Sequence, residues 1–191
     1  MSGSGTNLQA LIDAASAGGL GAEIVVVVSD RPGVRALERA ERAGIATEVI
    51  PWTGDRDTFT ERICDTVAAH GAQAMVLAGF MRILAPMAVE RFPRKVINIH
   101  PSLLPGFPGS NAVEQALEHG VKLTGVTVHF VDEQVDHGPV IAQEAVPVHV
   151  DDTPDTLHGR LQVVEHRLYP AVVRAFAAGR LTVDGRKVIW A

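Results

Sequence analysis

From residue 22 to residue 100, short apolar runs alternate with stretches of helical repeat, and few architectures accommodate that rhythm. AEIVVVVSD, residues 22–30, is too continuously apolar for a strand with one wet face, so it belongs inside a covered sheet. VRALERAERAG (34–44) follows as an amphipathic helix closed by Gly44, and IATEVIP (45–51) reads as the next strand. The helix around Cys64, on which Phe59, Ile63, Val67 and Ala68 have helical spacing, leads to a strand at AQAMVLAG (72–79). A short helical turn within 83–92 and the strand KVINIH (95–100) complete the series. Strands that alternate with helices are joined by crossovers, which predicts an α/β fold with a mostly parallel central sheet and helices on both faces.

After Pro108 the pattern changes. SNAVEQALEHG (110–120) is helical, but LTGVTVHFV (123–131) and GPVIAQEAVPV (138–148) are strands joined by a short loop, a mixed C-terminal extension of the sheet. A long helix over 154–179 is expected to bend or break at Pro170, and the tail 180–191 to form a hairpin on Asp184-Gly185. At 191 residues, with no repeat or linker, the chain is expected to be a single domain over 1–191. The net charge of −5 comes without a long run of one sign, which argues against a nucleic-acid partner. No stretch of about 18 apolar residues offers a membrane span. The single cysteine, Cys64, reads as core filling, and with no secretory signal a cytoplasmic setting is expected. The expected partners are small molecules, for a monomer or a homodimer.

Three stretches have the residue types that chemistry needs. SGSGTNLQAL (2–11) places two glycines before an apolar helix, where free N–H groups and the helix dipole make an anion site. It lacks the Lys-Ser/Thr ending of a Walker loop and the third glycine of a dinucleotide fingerprint, and a plain cap by Thr6 or Asn7 explains it equally well. Asn98 and His100, two apart on a strand, share a face at the carboxyl end, where open α/β sheets bind ligands. An amide donor beside an imidazole can hold a developing oxyanion while a proton moves. A lone histidine at a strand end is more often structural, but Pro101, Pro105 and Pro108 stiffen the departing loop as a pocket wall requires. The third stretch holds Asp132, Glu133 and Asp136, any one of which, set beside His100, would favour its imidazolium and make it a general acid. Only geometry chooses among the three. His129 and His137 with His100 match no common ligand spacing, so no metal is expected.

Taken together, SGSGTNLQALIDA, VLAGFMRIL, NIHPSLLP and GVTVHFVDEQVDHGPVIAQ resemble, in order and separation, the phosphoribosylglycinamide formyltransferases, the folate-dependent transferases of purine biosynthesis. The resemblance runs from about Ser2 to Trp190 and implies a Rossmann-like formyltransferase fold. It implies transfer of a formyl group from 10-formyltetrahydrofolate, as co-substrate, to the amine of glycinamide ribonucleotide. Gly5, Thr6 and Asn7 would then cradle the ribonucleotide phosphate, with Glu165 touching the same substrate. Met81, Arg82, Ile83 and Leu84 would line the pteridine pocket largely through backbone groups, and Arg56 and Asn98 would also meet the folate. Asn98, His100 and Asp136 match the catalytic trio, which selects Asp136 over its two acidic neighbours.

The chain departs from that pattern in two places. Members begin with an apolar strand directly before the glycine loop, whereas here Met1 abuts SGSG, so a first strand is expected to be missing before residue 1 and the natural protein to begin upstream. Asn111 stands where members often carry histidine. Three other readings compete. Methionyl-tRNA formyltransferases share the Asn, His and Asp core but carry a further C-terminal domain. Formyltetrahydrofolate deformylases are similar over residues 120–143 but lack the SGSGTNLQ loop. A catalytically inactive nucleotide-binding module is the third.

Overall fold

The computed structural model describes residues 3–191, which divide into two compact units, one running to Ile97 and the other from Asn98 to Ala191. Met1 and Ser2, where the glycine stretch begins, lie outside the described residues, as does the strand expected ahead of them.

In the first unit α1 (Thr6–Ser16), β1 (Val26–Ser29), α2 (Arg35–Arg42), β2 (Ala46–Val49), α3 (Arg56–Ala69), β3 (Met75–Leu77) and α4 (Met87–Arg91) follow the expected alternation, and β4 (Val96–His100) straddles the boundary. β1 and β2 pair in parallel, Val26 with Ala46 through Ser29 with Val49, and among the described residues they are a sheet of their own. The apolar run at 22–30 gives only four ladder residues because its partner is no longer. α2 closes in a turn that sends the Ile45 N–H back to the Ala40 carbonyl, and Pro51 follows the strand. The strand expected over 72–79 shortens likewise, its first residue donating from Met75 N–H to the Lys95 carbonyl at 2.8 Å. Leu8, Ile12, Val27, Ala36, Leu37 and Ala40 form the core between α1, α2 and β1. Cys64 is fully buried and unpaired, and burial pushes its thiol up, as befits core filling.

The second unit continues from the end of β4 through α5 (Ala112–Glu118), β5 (Leu123–Phe130), β6 (Val140–Pro147), α6 (Pro154–Ala177), β7 (Leu181–Asp184) and β8 (Lys187–Trp190). β5 lies between β4 and β6 and pairs with β6 antiparallel, with a bulge between Val128 and His129. β7 and β8 form the expected hairpin. α6 starts in a capping box, the Thr153 hydroxyl accepting from Thr156 N–H while Thr156 answers the Thr153 N–H, with Pro154 at its first turn. Pro170 does not break it. The helix runs 24 residues because Tyr169 and Val172, on either side, are fully buried where it packs on β5 and β6, and that burial outweighs one missing N–H. Among the described residues no helix is long and apolar enough to cross a membrane.

Candidate active site

The second unit brings Asn98, His100 and Asp136 together. Asn98 and His100 project from one face of β4, as alternation requires, and His100 is only 5 % exposed. His100 Nδ1 lies 3.3 Å from Asp136 Oδ2, and Asn98 Nδ2 lies 3.4 Å from Asp136 Oδ1. On its other side the ring meets the Phe107 carbonyl at 2.8 Å; a carbonyl only accepts, so Nε2 carries a proton. Asp132 and Glu133 take no part: Asp132 is engaged by His137 Nδ1 at 2.8 Å and the Gln134 N–H at 3.0 Å, and Glu133 is exposed.

The two residues that touch the His100 ring both stand in the left-handed region, Phe107 with φ 51° and Asp136 with φ 50°. Side chains avoid that region, and such conformations persist where surrounding contacts over-determine them. Asp136 Oδ2 accepts from Gly109 N–H at 2.7 Å, which ties the carboxylate to the proline-rich loop. That loop is pinned in turn by Thr127 of β5, whose hydroxyl donates to the Ser102 carbonyl at 2.6 Å and accepts from Leu104 N–H at 3.0 Å and Gln143 Nε2 at 2.9 Å. One hydroxyl hydrogen and both lone pairs are thereby used. Ser102 Oγ also donates to the Gly106 carbonyl. The loop is a fixed wall because its backbone groups are claimed by strands beneath it.

A fourth member of the cluster is His129, which the sequence suggested only as a metal ligand. Buried in β5, it donates from Nδ1 to the Phe130 carbonyl at 2.8 Å and turns Nε2 toward Asn98 Nδ2 at 3.3 Å and Asp136 Oδ1 at 3.6 Å. A histidine inside the apolar run VTVHFV was the signal available. Burial alone would raise the Asp136 carboxyl, but the His129 contact, the Gly109 N–H and the nearby His100 outweigh it and hold the group below its ordinary value. Among the described residues no group of three or more ligating side chains could hold a metal. His137 is drawn instead to Asp132 and Arg186.

In the first unit the glycine turn is not a side-chain cap. Neither Thr6 nor Asn7 caps α1; the N-cap is Gly5, with φ 68° and no capping side chain, and its carbonyl accepts from Gln9 N–H at 2.9 Å. A side chain there would also put a Cβ 2.8 Å from the Cα and Cβ of Ala36, so α2 presses the turn into shape. Arg39 of α2 adds a grip, donating to the Ser4 carbonyl at 3.0 Å and to Gln9 Oε1 at 2.8 Å.

The same unit brings Arg56 to the 81–84 stretch, where its guanidinium donates to the Leu84 carbonyl. Thr60, one turn along α3, receives the Ala85 N–H at 2.8 Å and donates to the Arg56 carbonyl at 2.8 Å. Arg82 is drawn into Asp30 at 2.9 Å and over the Trp52 ring at 5.2 Å, which leaves Met81 and Ile83 exposed as apolar surface. Glu165 lies on α6 in the second unit, 5 % exposed, one turn before the buried Tyr169.

Residues 1–173 match the family profile described as Formyl transferase, which sets the class of protein. Glycinamide ribonucleotide transformylase 1 from Symbiobacterium toebii shares the fold with a TM-score of 0.97 and 46 % identity, covering 100 % of this chain and 91 % of that one. Phosphoribosylglycinamide formyltransferase of Escherichia coli K12 is 42 % identical over 95 % of this chain and 86 % of that protein. Trifunctional purine biosynthetic protein adenosine-3 of Gallus gallus is 47 % identical over the whole chain, which spans only 19 % of that protein's length. The chain belongs to the phosphoribosylglycinamide formyltransferase family, with the α/β fold and mostly parallel central sheet of its solved relative.

Proposed function

We propose that this chain transfers the formyl group of 10-formyltetrahydrofolate to the amine of glycinamide ribonucleotide, a step of purine biosynthesis in the cytoplasm. The observation that carries the reading is the capture of His100 between the Asp136 carboxylate and the Phe107 carbonyl, with the Asn98 amide alongside. As the amine adds to the formyl carbon, the formyl oxygen gains negative charge; Asn98 Nδ2 supplies a donor for it, and the His100 Nε2–H a second once it exchanges the Phe107 carbonyl for the substrate oxygen. Asn98 Nδ2 is in long contacts of 3.3 and 3.4 Å, which a substrate oxygen can replace at little loss. The carbon–nitrogen bond to the folate then breaks, that nitrogen gains a proton and the attacking amine gives one up, so no proton is released overall. His100 moves the proton and Asp136 keeps the ring oriented while it does so.

Binding follows the residues assigned by resemblance. The turn at Gly5, Thr6 and Asn7 takes the phosphate, which the α1 N-terminus suits, and Glu165 meets the same substrate. Exposed Met81 and Ile83 give a flat ring apolar surface, Arg82 and Leu84 contribute backbone groups, and Arg56 and Asn98 approach the folate. The test is acceptor dependence: tetrahydrofolate accumulates from 10-formyltetrahydrofolate only when glycinamide ribonucleotide is present, and the formylated ribonucleotide appears in equal amount. Formate release without acceptor would assign the chain to deformylation, and ribonucleotide binding with no turnover would make it an inactive module.

A further inference from the structure

Asp136 stands in the left-handed region with φ 50°, which Asp bears more readily than most residues but still at a cost, and the contacts to its carboxylate do not by themselves fix its main chain. Two residues later the chain has no slack, since a Cβ at Gly138 would fall 1.9 Å from the Phe130 carbonyl oxygen. Between them stands His137, held from both flanks. Its Nδ1–H donates to Asp132 Oδ2 at 2.8 Å, Arg186 Nη1 lies over the ring, 3.4 Å from Nδ1 and 3.2 Å from Nε2, and its carbonyl accepts from Arg186 Nη2 at 2.6 Å. Asp132 only accepts, so Nδ1 carries a proton toward it, while the Arg186 guanidinium packs on the ring face. Arg186 comes from the turn of the β7–β8 hairpin, which is itself fastened to β6 by Trp190 Nε1–H donating to the Ile141 carbonyl at 3.0 Å. A line of hydrogen bonds thus runs from β6, through the hairpin, to the His137–Gly138 peptide, one peptide beyond the one that follows Asp136.

We infer that Arg186 is a positioning residue for the reaction: by fixing the His137 carbonyl and packing on its ring it holds the turn that carries Asp136, and so keeps the carboxylate against His100. This rests on the proposed function for what Asp136 does, and it gives the C-terminal hairpin a part in the chemistry without contact to substrate. His137, which the sequence offered only as a metal ligand, becomes the handle by which the hairpin takes hold.

The experiment is a double-mutant cycle on formyl transfer with both substrates saturating. Arg186→Met keeps the aliphatic stem and removes the donors; it lowers kcat about tenfold, the effect of a small misplacement of a reacting group, with both KM values within about twofold. Arg186→Lys, which keeps one donor and gives up the fork, loses about threefold. In an Asp136→Asn background Arg186→Met causes no further loss, because the group being positioned is already gone. Unchanged kcat in Arg186→Met, or the same fold-loss in both backgrounds, overturns the inference. If Arg186→Met does not fold at the assay temperature, Arg186→Lys takes its place in the same cycle with the same criteria. A wild-type protein without transfer would sink the proposed function instead. The grip is then read from the ring nitrogen resonances of His100 and His129, which Arg186→Lys moves if Asp136 shifts; unmoved resonances would overturn it.

Discussion

Replacing Gly5 by alanine tests how the glycine turn is built, and its cost can be worked from two separate terms. The backbone term comes from φ 68°, which costs an L-residue about 1–2 kcal/mol. The packing term comes from the new Cβ, which would sit 2.8 Å from both Cα and Cβ of Ala36, closer than real contacts allow. Ala36 is fully buried on α2, so the overlap is relieved only by moving the helix or the turn, at about 1–3 kcal/mol. Gly18 provides the control: it has nearly the same φ, 70°, but nothing lies within 4 Å of its would-be Cβ. In urea unfolding Gly18→Ala should therefore lose only the backbone term, and Gly5→Ala about 2–5 kcal/mol. The Gly5 variant should also raise KM for the ribonucleotide while leaving that for the folate nearly alone. Equal destabilisation by the two substitutions would refute the packing argument, and an unchanged ribonucleotide KM would refute the role given to the turn.

Thr60→Val removes the acceptor for the buried Ala85 N–H and should cost about 1–3 kcal/mol, with a raised KM for the folate because the 81–84 stretch loses its anchor on α3; unaltered folate kinetics would count against that link. Cys64, with its thiol pushed up by burial, should react with a disulfide reagent at pH 8 only after unfolding, and rapid labelling of the native protein would contradict its place in the core. The Asp136 carboxyl is held below its ordinary value when folded, so its contribution to stability is complete above the unfolded value of about 4 and vanishes as pH falls through the folded one. Asp136→Asn should accordingly flatten the acid side of the stability profile measured by thermal melts; profiles of identical slope below about pH 5 would contradict the assignment.

Much of this was legible because it is local. Period-2 alternation is enough to place Asn98 and His100 on one face, and helical spacing is enough to bury Phe59, Ile63 and Val67, although Ala68, at the edge of the same stripe, is exposed. Strand lengths were less legible: β1 ends where its partner β2 ends, which no property of residues 22–30 encodes. The choice of Asp136 among three carboxylates depends on a positive φ and on an N–H 27 residues away in sequence, and only resemblance could anticipate it. His129 is weighed in the sequence only as a metal ligand and set aside; its place in the cluster is not legible there, since its neighbours are supplied by β4 and the 131–139 loop rather than by spacing. The turn before α1 was open between a cap and an anion site, and what excludes Thr6 and Asn7 as caps is the left-handed Gly5 pressed against Ala36. Pro170 illustrates a local rule overruled by the burial of Tyr169 and Val172 around it.

The most direct measurement is single-turnover transfer of a carbon-13 formyl label from 10-formyltetrahydrofolate to glycinamide ribonucleotide, comparing the wild-type chain with His100→Ala after each is shown to bind both substrates. The label should reach the ribonucleotide amine in the wild type and, with binding retained, move at least about a hundredfold more slowly in His100→Ala. Transfer at the wild-type rate without the imidazole would contradict the account.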